Sequence, residues 1–337
     1  MQLKDKVLQV LQNTESEDGF VSGQALAEQC GVTRTSVWKA VNALKKSGAE
    51  IKAVSNRGYR LVVDNIYNAE SIAKYIHDKN VKIKFYDEID STNAQAKLDL
   101  AESTSKKLNK TVYVASKQTA GRGRLGRKFY SLEKSGIYLS VIYENQKNLI
   151  PSLITSSASV AVCRAIKKIY NTEAKIKWVN DIFVDSKKVC GILTEGIANF
   201  ETGLIDSVII GIGINILDNK NLPSELKNIA GSIIHSKEES SKDLKRSEFC
   251  AQVINELFLI LDGGTLEIKN AMQEYKERSF LIGKKIEVYP IIDSQEKSYS
   301  CIVQDITEDA KLVVKLDDGK IKTLNSGEVS LHSKNVL

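Results

Sequence analysis

"VSGQALAEQCGVTRTSVWKAVNALKKSG", residues 21–48, reads as two short helices about a tight turn. Ser22 is positioned to cap the first, Gly31 ends it, and Thr33 is positioned to cap the second. In the second helix Val37, Ala40, Val41 and Leu44 fall at i, i+3, i+4 and i+7 and form one apolar face. Arg34, Thr35, Ser36, Lys39 and Asn42 are left to point elsewhere. Helix, glycine turn and a second helix with a polar, basic outer face is the helix-turn-helix arrangement, whose second member enters the major groove with its first residues at base edges. Further along, "EIKAVSNRGYRL" (50–61) alternates, turns at Asn56-Arg57-Gly58 and extends again. This predicts a two-stranded wing with Arg57 at its tip, where it can reach phosphate or the minor groove.

Charge agrees with that reading. The chain carries a net +6, and residues 34–60 alone hold seven bases against one acid, Glu50. Such a cluster is the footprint of a polyanion. A small helical protein-interaction domain with a solvated basic face would share the pattern, but cap, turn and wing tip agree on DNA, with Arg34, Thr35, Ser36, Lys39 and Arg57 as contacts. Helix-turn-helix proteins mostly bind two half-sites as dimers, so a homodimer is expected.

At 337 residues, 42% of them apolar, the chain is long enough for two or three domains with real cores. The first residues lack a signal-peptide pattern and no run of about 18 apolar residues occurs, so neither secretion nor membrane insertion is expected. Five cysteines at 30, 163, 190, 250 and 301 are odd in number, scattered, and never spaced C-x-x-C. That argues against a disulfide framework and a zinc site, and for a cytoplasmic location. Only three histidines are present, at 77, 235 and 332. Chemistry is therefore expected from Lys, Arg, Asp and bound Mg2+ instead of a histidine triad or cluster.

From about 66 to 275 helical and strand patterns mix in an α+β order. "STNAQAKLDLAES" opens a helix near Ser91 or Thr92, "TVYVASKQ" and "GIYLSVIY" are strands, and an apolar helix runs from Pro151 to about Tyr170. "AKIKWVNDIFVDSKKVCGILTEG" (174–196) reads as three strands broken at Asn180-Asp181 and at an Asp-Ser-Lys turn, and "SVIIGIGINIL" is one more. Glycine weakens a strand interior, so Gly211 and Gly213 mark a place where a ligand or another backbone comes close. Asn180 and Asp181 face a pocket or simply make a turn; the spacing permits both.

"ASKQTAGRGRLGRKFYS" (115–131) is a stronger signal, with three glycines and five bases in one short span and no acid. Glycines between arginines let backbone N–H groups and guanidinium forks surround one anion. The P-loop fingerprint G-x-x-x-x-G-K-[ST] is absent, and although Gly121, Gly123 and Gly126 have the G-x-G-x-x-G spacing, that spacing alone is a weak signal. Ordering such a loop costs backbone entropy comparable to what its charged hydrogen bonds return. It is expected to order on a phosphate-bearing ligand; a flexible basic surface loop is the plainer alternative.

Taken together, "STN" (91–93), "QTAGRGRLGR" (118–127), "KWVND" (177–181), "KKVCGILTE" (187–195) and "GIGIN" (211–215) occur in the order and approximate spacing of the biotin protein ligases. With the winged helix-turn-helix before them, the chain resembles the bifunctional class of that family over nearly its whole length. The resemblance implies a ligase that uses biotin, ATP and Mg2+ to form biotinyl-5′-AMP and passes biotin to a lysine of a biotin carboxyl carrier domain. It also implies repression at operator DNA by a ligand-bound homodimer. The fold implied is α+β and multi-domain: a winged helix-turn-helix over 1–65, a mixed α/β ligase domain of the class II synthetase-like type over 66–278, and an SH3-like barrel over 279–337. The last agrees with short alternating strands in "KKIEVYP", "YSCIVQDI", "AKLVVKL" and "KIKTL" and a hairpin turn at Asp317-Asp318-Gly319.

Carried over by motif, Ser91, Thr92, Asn93 and Gln118 meet the ureido head of biotin, a polar group that needs hydrogen bonds once buried. Arg122, Gly123 and Arg124 wrap the carboxylate and phosphate, and Lys188 steadies the reacting oxygens; without the family it would read as a solvated turn lysine. Gly191 lies on the biotin wall, Arg124, Arg127, Asn180, Asp181 and Asn215 lie toward the adenylate, and Asp181 is the residue implied for Mg2+. Val179 and Phe129 stand where the family usually has proline and often has tryptophan, and neither change removes a charge or a hydrogen-bonding group. A ligand-sensing repressor without turnover, or a lipoate ligase, are the rival readings.

Overall fold

The computed structural model of the chain describes residues 2–14, 16, 18–64, 66–102, 108–144, 150–198, 203–218, 222–234, 244–289, 298–325 and 328–331. Two compact units emerge, residues 1–75 with 236–248 and residues 76–235 with 249–337.

The first unit contains α1 (Leu3–Gln12), α2 (Gly23–Cys30), α3 (Arg34–Lys46), β1 (Ala49–Val54), β2 (Gly58–Asp64) and α4 (Ala69–Ala73). Ser22 Oγ accepts from the Ala25 N–H at 3.0 Å and Thr33 Oγ1 from the Ser36 N–H at 3.2 Å, so each helix begins at its expected cap. Gly31 closes α2 in the left-handed conformation at φ 69°. Val37, Ala40, Val41 and Leu44 are all buried, in one core with Leu26 and Ala27 of α2 and Val7, Leu8 and Leu11 of α1. The sequence reading omits α1, although Leu3, Val7, Leu8 and Leu11 carry a helical spacing. The wing is present: β1 and β2 pair antiparallel from Ile51–Leu61 to Val54–Gly58.

In the second unit a seven-stranded mixed sheet has the order β3-β4-β5-β9-β8-β7-β6. Its strands are β3 (Lys82–Tyr86), β4 (Thr111–Ala115), β5 (Gly136–Glu144), β6 (Lys175–Lys177), β7 (Asp181–Val184), β8 (Lys187–Ala198) and β9 (Ile205–Asn215). Only β3 and β4 are parallel neighbours. One face meets α6 (Pro151–Tyr170), where Thr155 Oγ1 donates to Thr194 Oγ1 at 2.8 Å. The other meets α5 (Thr92–Glu102), whose Ala96 packs with Tyr113, Ile142 and Ile209. Cross-strand register puts Gly191, Gly213 and Tyr138 side by side, with Leu193, Gly211 and Ser140 in the next row. That pale stretch of sheet, at the end of α5, is where the site forms.

The helices α7 (Arg246–Asp262) and α8 (Gly264–Arg278) follow, both beyond what the sequence reading specified, and α8 packs on α6. A five-stranded antiparallel sheet ends the chain: β10 (Lys285–Tyr289), β11 (Tyr299–Ile306), β12 (Leu312–Leu316), β13 (Ile321–Leu324) and β14 (Glu328–Leu331), ordered β13-β12-β11-β10-β14. No pairing among the described residues joins β13 to β14. The expected hairpin turn at Asp317-Asp318-Gly319 links β12 and β13, with Gly319 at φ 86°. Trp178 anchors this sheet to the larger one by donating from Nε1 to the Ala310 carbonyl at 2.9 Å.

Removing the cap of α3 tests its local logic. Thr33→Ala should lower the unfolding free energy of the helical unit by about 0.5–2 kcal/mol, with Thr33→Ser retaining most of it, in urea unfolding followed by circular dichroism.

Candidate functional site

A cavity of about 370 Å³ opens on the glycine-rich patch of the sheet. Ser91, Thr92, Asn93 and Gln118 line one end. Arg122, Gly123, Arg124 and Arg127 line it from the glycine–arginine segment, and Asn180, Asp181, Lys188, Gly191 and Asn215 from strand edges and turns. Residues more than a hundred positions apart in the chain thus share one wall.

The first end is a closed polar network. Gln118 Oε1 accepts from the Thr92 N–H at 2.9 Å and from Thr92 Oγ1 at 3.1 Å, while Gln118 Nε2 donates to Ser131 Oγ at 2.7 Å. Ser140 Oγ lies 2.6 Å from Thr92 Oγ1 and 2.5 Å from Asn93 Oδ1 and donates to one of them. Asn93 Nδ2 donates to Glu195 Oε2 at 2.8 Å, and Lys97 Nζ pairs with Glu195 Oε1 at 2.6 Å. Each amide and hydroxyl is held in one orientation by a second polar group. Ser91, Thr92 and Asn93 are buried, which such pairing makes affordable.

Gly211 and Gly213 have a direct steric reason. A β-carbon on Gly211 would sit 2.3 Å from Asn93 Oδ1, and one on Gly213 would sit 2.5 Å from the Phe129 ring. The close approach predicted from these glycines is therefore made by side chains, Asn93 and Phe129. The Phe129 ring also meets Tyr138 edge-on at 6.2 Å.

The arginine segment is a small hairpin. Gly123 N–H donates to the Arg127 carbonyl at 2.7 Å, Arg127 N–H to the Arg124 carbonyl at 3.2 Å, and Phe129 N–H to the Gly121 carbonyl at 2.9 Å. Leu125 and Gly126 take positive φ at its tip. Arg122 and Arg127 are exposed, whereas Arg124 is half-buried and donates from Nη1 to Asn180 Oδ1 at 3.1 Å.

The K-W-V-N-D turn fixes the opposite side. Its Trp178–Val179 peptide is cis, and the Val179 carbonyl accepts from Tyr275 Oη at 2.9 Å. Asn180 Nδ2 donates to the Ile192 carbonyl at 2.8 Å, which braces the amide that holds Arg124. Asp181 Oδ1, shielded from solvent, has Lys188 Nζ 2.6 Å away, a close ion pair without hydrogen-bond alignment. Asn215 Nδ2 donates to the Gly231 carbonyl at 3.1 Å. Asp181 is the sole carboxylate lining the cavity, and no cluster of three metal-ligating side chains occurs among the described residues. Cys190 also reaches the wall, where burial pushes its thiol well above the ordinary range.

Comparison with known proteins decides the family. Residues 85–215 match the Biotin/lipoate A/B protein ligase family, residues 6–60 an HTH domain, and residues 292–332 the Biotin protein ligase C terminal domain. The bifunctional ligase/repressor BirA of Bacillus subtilis is 38% identical over 226 residues, 65% of this chain and 68% of that protein. The Escherichia coli protein of the same name is 25% identical over 97% of both chains. This chain belongs to the biotin protein ligase family, in its bifunctional ligase/repressor class. A solved biotin protein ligase from Aquifex aeolicus, in complex with biotin and ATP, superposes on the ligase with TM-score 0.60 and 27% identity, covering 74% of this chain and 98% of that one.

Within the ligase, sequence reasoning omitted Ser131, Ser140, Glu195 and Lys97, which orient the polar end, and Leu222, Leu226, Ile229 and Ala230, which line the cavity from the segment after β9. The only sequence signal for Glu195 is a carboxylate in the interior of a strand whose middle is mostly apolar. The ligase's helix-turn-helix unit exposes Arg34, Thr35 and Lys39 on α3, while Ser36 is half-buried with Oγ 3.0 Å from Thr33 Oγ1. Arg57 lies in the wing turn as expected, but its guanidinium pairs with Asp18 and lies 4.5 Å over the Phe20 ring. The hydrogen bond from Arg57 holds the Asp18 carboxyl below its ordinary range. Both partners are about half exposed, so the pair is weak and water-screened.

Gly211→Ala in the ligase should displace Asn93 and lower the unfolding free energy by about 1–3 kcal/mol. Because the two residues touch, adding Asn93→Ala should give a double variant that departs from additivity by more than about 0.5 kcal/mol in denaturant unfolding.

Proposed function

We propose that the chain attaches biotin to a lysine of a biotin carboxyl carrier domain in two ATP-driven steps, and represses transcription through its helix-turn-helix unit. The observation that carries the enzymatic half is one cavity with a neutral hydrogen-bonding end and a cationic end. Biotin has the matching polarity: an uncharged ureido ring, an aliphatic stem and a carboxylate.

In the first step a biotin carboxylate oxygen bonds to the α-phosphorus of ATP as the bond to pyrophosphate breaks, giving biotinyl-5′-AMP. Both reactants are anions, so the barrier includes their repulsion. Ser91, Thr92 and Gln118 hold the ureido ring, and Asn93, braced by Ser140 and Glu195, fixes that end. Gly191 lets the β8 wall stay flat. Arg122, Gly123 and Arg124 wrap the carboxylate and α-phosphate. Lys188, resting against Asp181, exchanges it for the phosphoryl oxygens. Arg127, Asn180 and Asn215 serve the adenylate. In the second step a neutral acceptor lysine attacks the biotinyl carbonyl carbon and AMP leaves with the C–O bond electrons. The hairpin over the cavity keeps water from the mixed anhydride, and the ligand's charge supports ordering it.

The donor set fits Mg2+ that arrives on nucleotide phosphates and keeps its waters, with Asp181 as its one protein carboxylate. When bound there the ion neutralises charge on the departing pyrophosphate. The same reading takes the C-terminal sheet as an SH3-like barrel that supports ligand and acceptor binding, the ligand-bound chain as a homodimer on operator DNA, and the cytoplasm as its location.

Lipoate would bring a dithiolane with no hydrogen-bonding head to the polar end, and a site that hydrogen-bonds a head group discriminates against an analogue lacking it. The decisive experiment incubates pure protein with biotin, ATP, Mg2+ and an acceptor domain and reads the mass of the acceptor. One biotinyl increment on a single lysine is expected, with none from lipoate. Biotin bound but never transferred would identify a ligand-sensing repressor instead.

A further inference from the structure

Trp38 stands in the middle of α3 with 56% of its surface exposed. The packing of this helix is complete without it, since Val37, Ala40, Val41 and Leu44 fill the core. No hydrogen bond or ring contact engages the indole among the described residues. One helical turn away lie Arg34 and Thr35 on one side and Asn42 on the other, with Lys39 adjacent. α3 carries no acid anywhere along its length. A large apolar ring has therefore been set at the centre of a basic, polar face.

The chemistry of that face selects its partner. Cations around an apolar centre match a polyanion that offers an apolar group between its charges. In duplex DNA the phosphates supply the charge, and the major groove presents one apolar group on a base edge, the thymine 5-methyl. An acidic protein surface is a different class of partner; the further exposed bases Lys45, Lys46 and Lys52 of the same unit add to the charge that a polyanion would meet.

We infer that Trp38 is a specificity-determining residue that packs on a thymine methyl in the major groove, once in each half-site. This rests on the DNA-binding reading above and deepens it: the basic residues set affinity and position, and the indole reads one base.

The test uses the full chain with biotin, ATP and Mg2+. A pool of random 40-bp duplexes is selected for binding, and each thymine of the winning sequence is then replaced singly by deoxyuridine, which removes only the methyl. One thymine per half-site should prove sensitive, its loss weakening binding roughly 3–10-fold. Trp38→Ala should weaken binding similarly, become indifferent to that deoxyuridine, and leave affinity for an unrelated duplex within about twofold; circular dichroism checks its fold. Acrylamide should quench Trp38 in the free protein and not on the selected duplex, against a buried Trp178. A Trp38→Ala chain that selects the same sequence with equal affinity and the same deoxyuridine sensitivity would overturn the inference while leaving DNA binding intact. So would shielding of Trp38 that follows protein concentration without DNA, which would assign the indole to a protein contact. Failure of the unaltered chain to retain any duplex would remove the DNA-binding reading, and this inference with it.

Discussion

Among the described residues, six basic side chains, Arg122, Arg124, Arg127, Lys128, Lys177 and Lys188, line a cavity with one carboxylate, Asp181. Like charges about 4 Å apart repel by about 1 kcal/mol in water and about 4 kcal/mol at the effective dielectric near a protein surface. A site built this way is incomplete without an anion. It gives a reason for Lys188 to rest against Asp181 and for Arg124 to be held by Asn180. On the proposed reading, an incoming phosphate and carboxylate relieve the repulsion and fix the hairpin together.

The rest of the ligase fold brings that charge to a fixed polar end. Gly191, Gly211 and Gly213 leave the sheet bare on one face, so Asn93 and Phe129 come down onto it. The opposite face packs on α6, whose inward side contributes Ala158, Ala161 and Ala165 as well as larger residues. The K-W-V-N-D turn then joins several demands in five residues. Trp178 holds the C-terminal sheet, Val179 is tied to α8 through Tyr275, Asn180 aims Arg124, and Asp181 holds Lys188. Mutations far from the cavity that loosen this turn would be felt at the reacting atoms.

Much of this was legible in the sequence because the deciding signals are local. Ser22, Gly31 and Thr33 declare the helix-turn-helix within a dozen residues, and the glycine–arginine segment stands out by composition alone as the basic stretch that lines the cavity. What stayed hidden depends on long-range approach. Nothing in spacing says that Glu195 braces Asn93, or that the glycines of β9 answer to Asn93 and Phe129. The pairing of Arg57 with Asp18 was hidden for the same reason, because an exposed wing arginine and a distant aspartate look independent in the chain. Omitting α1 is a different failure, since its apolar spacing was present but interspersed with charges.

The central claim is that the hairpin arginines and Lys188 act together on the oxygens exchanged at the α-phosphorus. Single-turnover formation of biotinyl-5′-AMP by an Arg122→Gln/Lys188→Gln double variant, with the fold checked by circular dichroism, tests it most directly. The account predicts a fall in rate of about 10⁴-fold or more, from the loss of two charged transition-state contacts each worth about 10²–10³. A rate equal to that of the unaltered chain would contradict it.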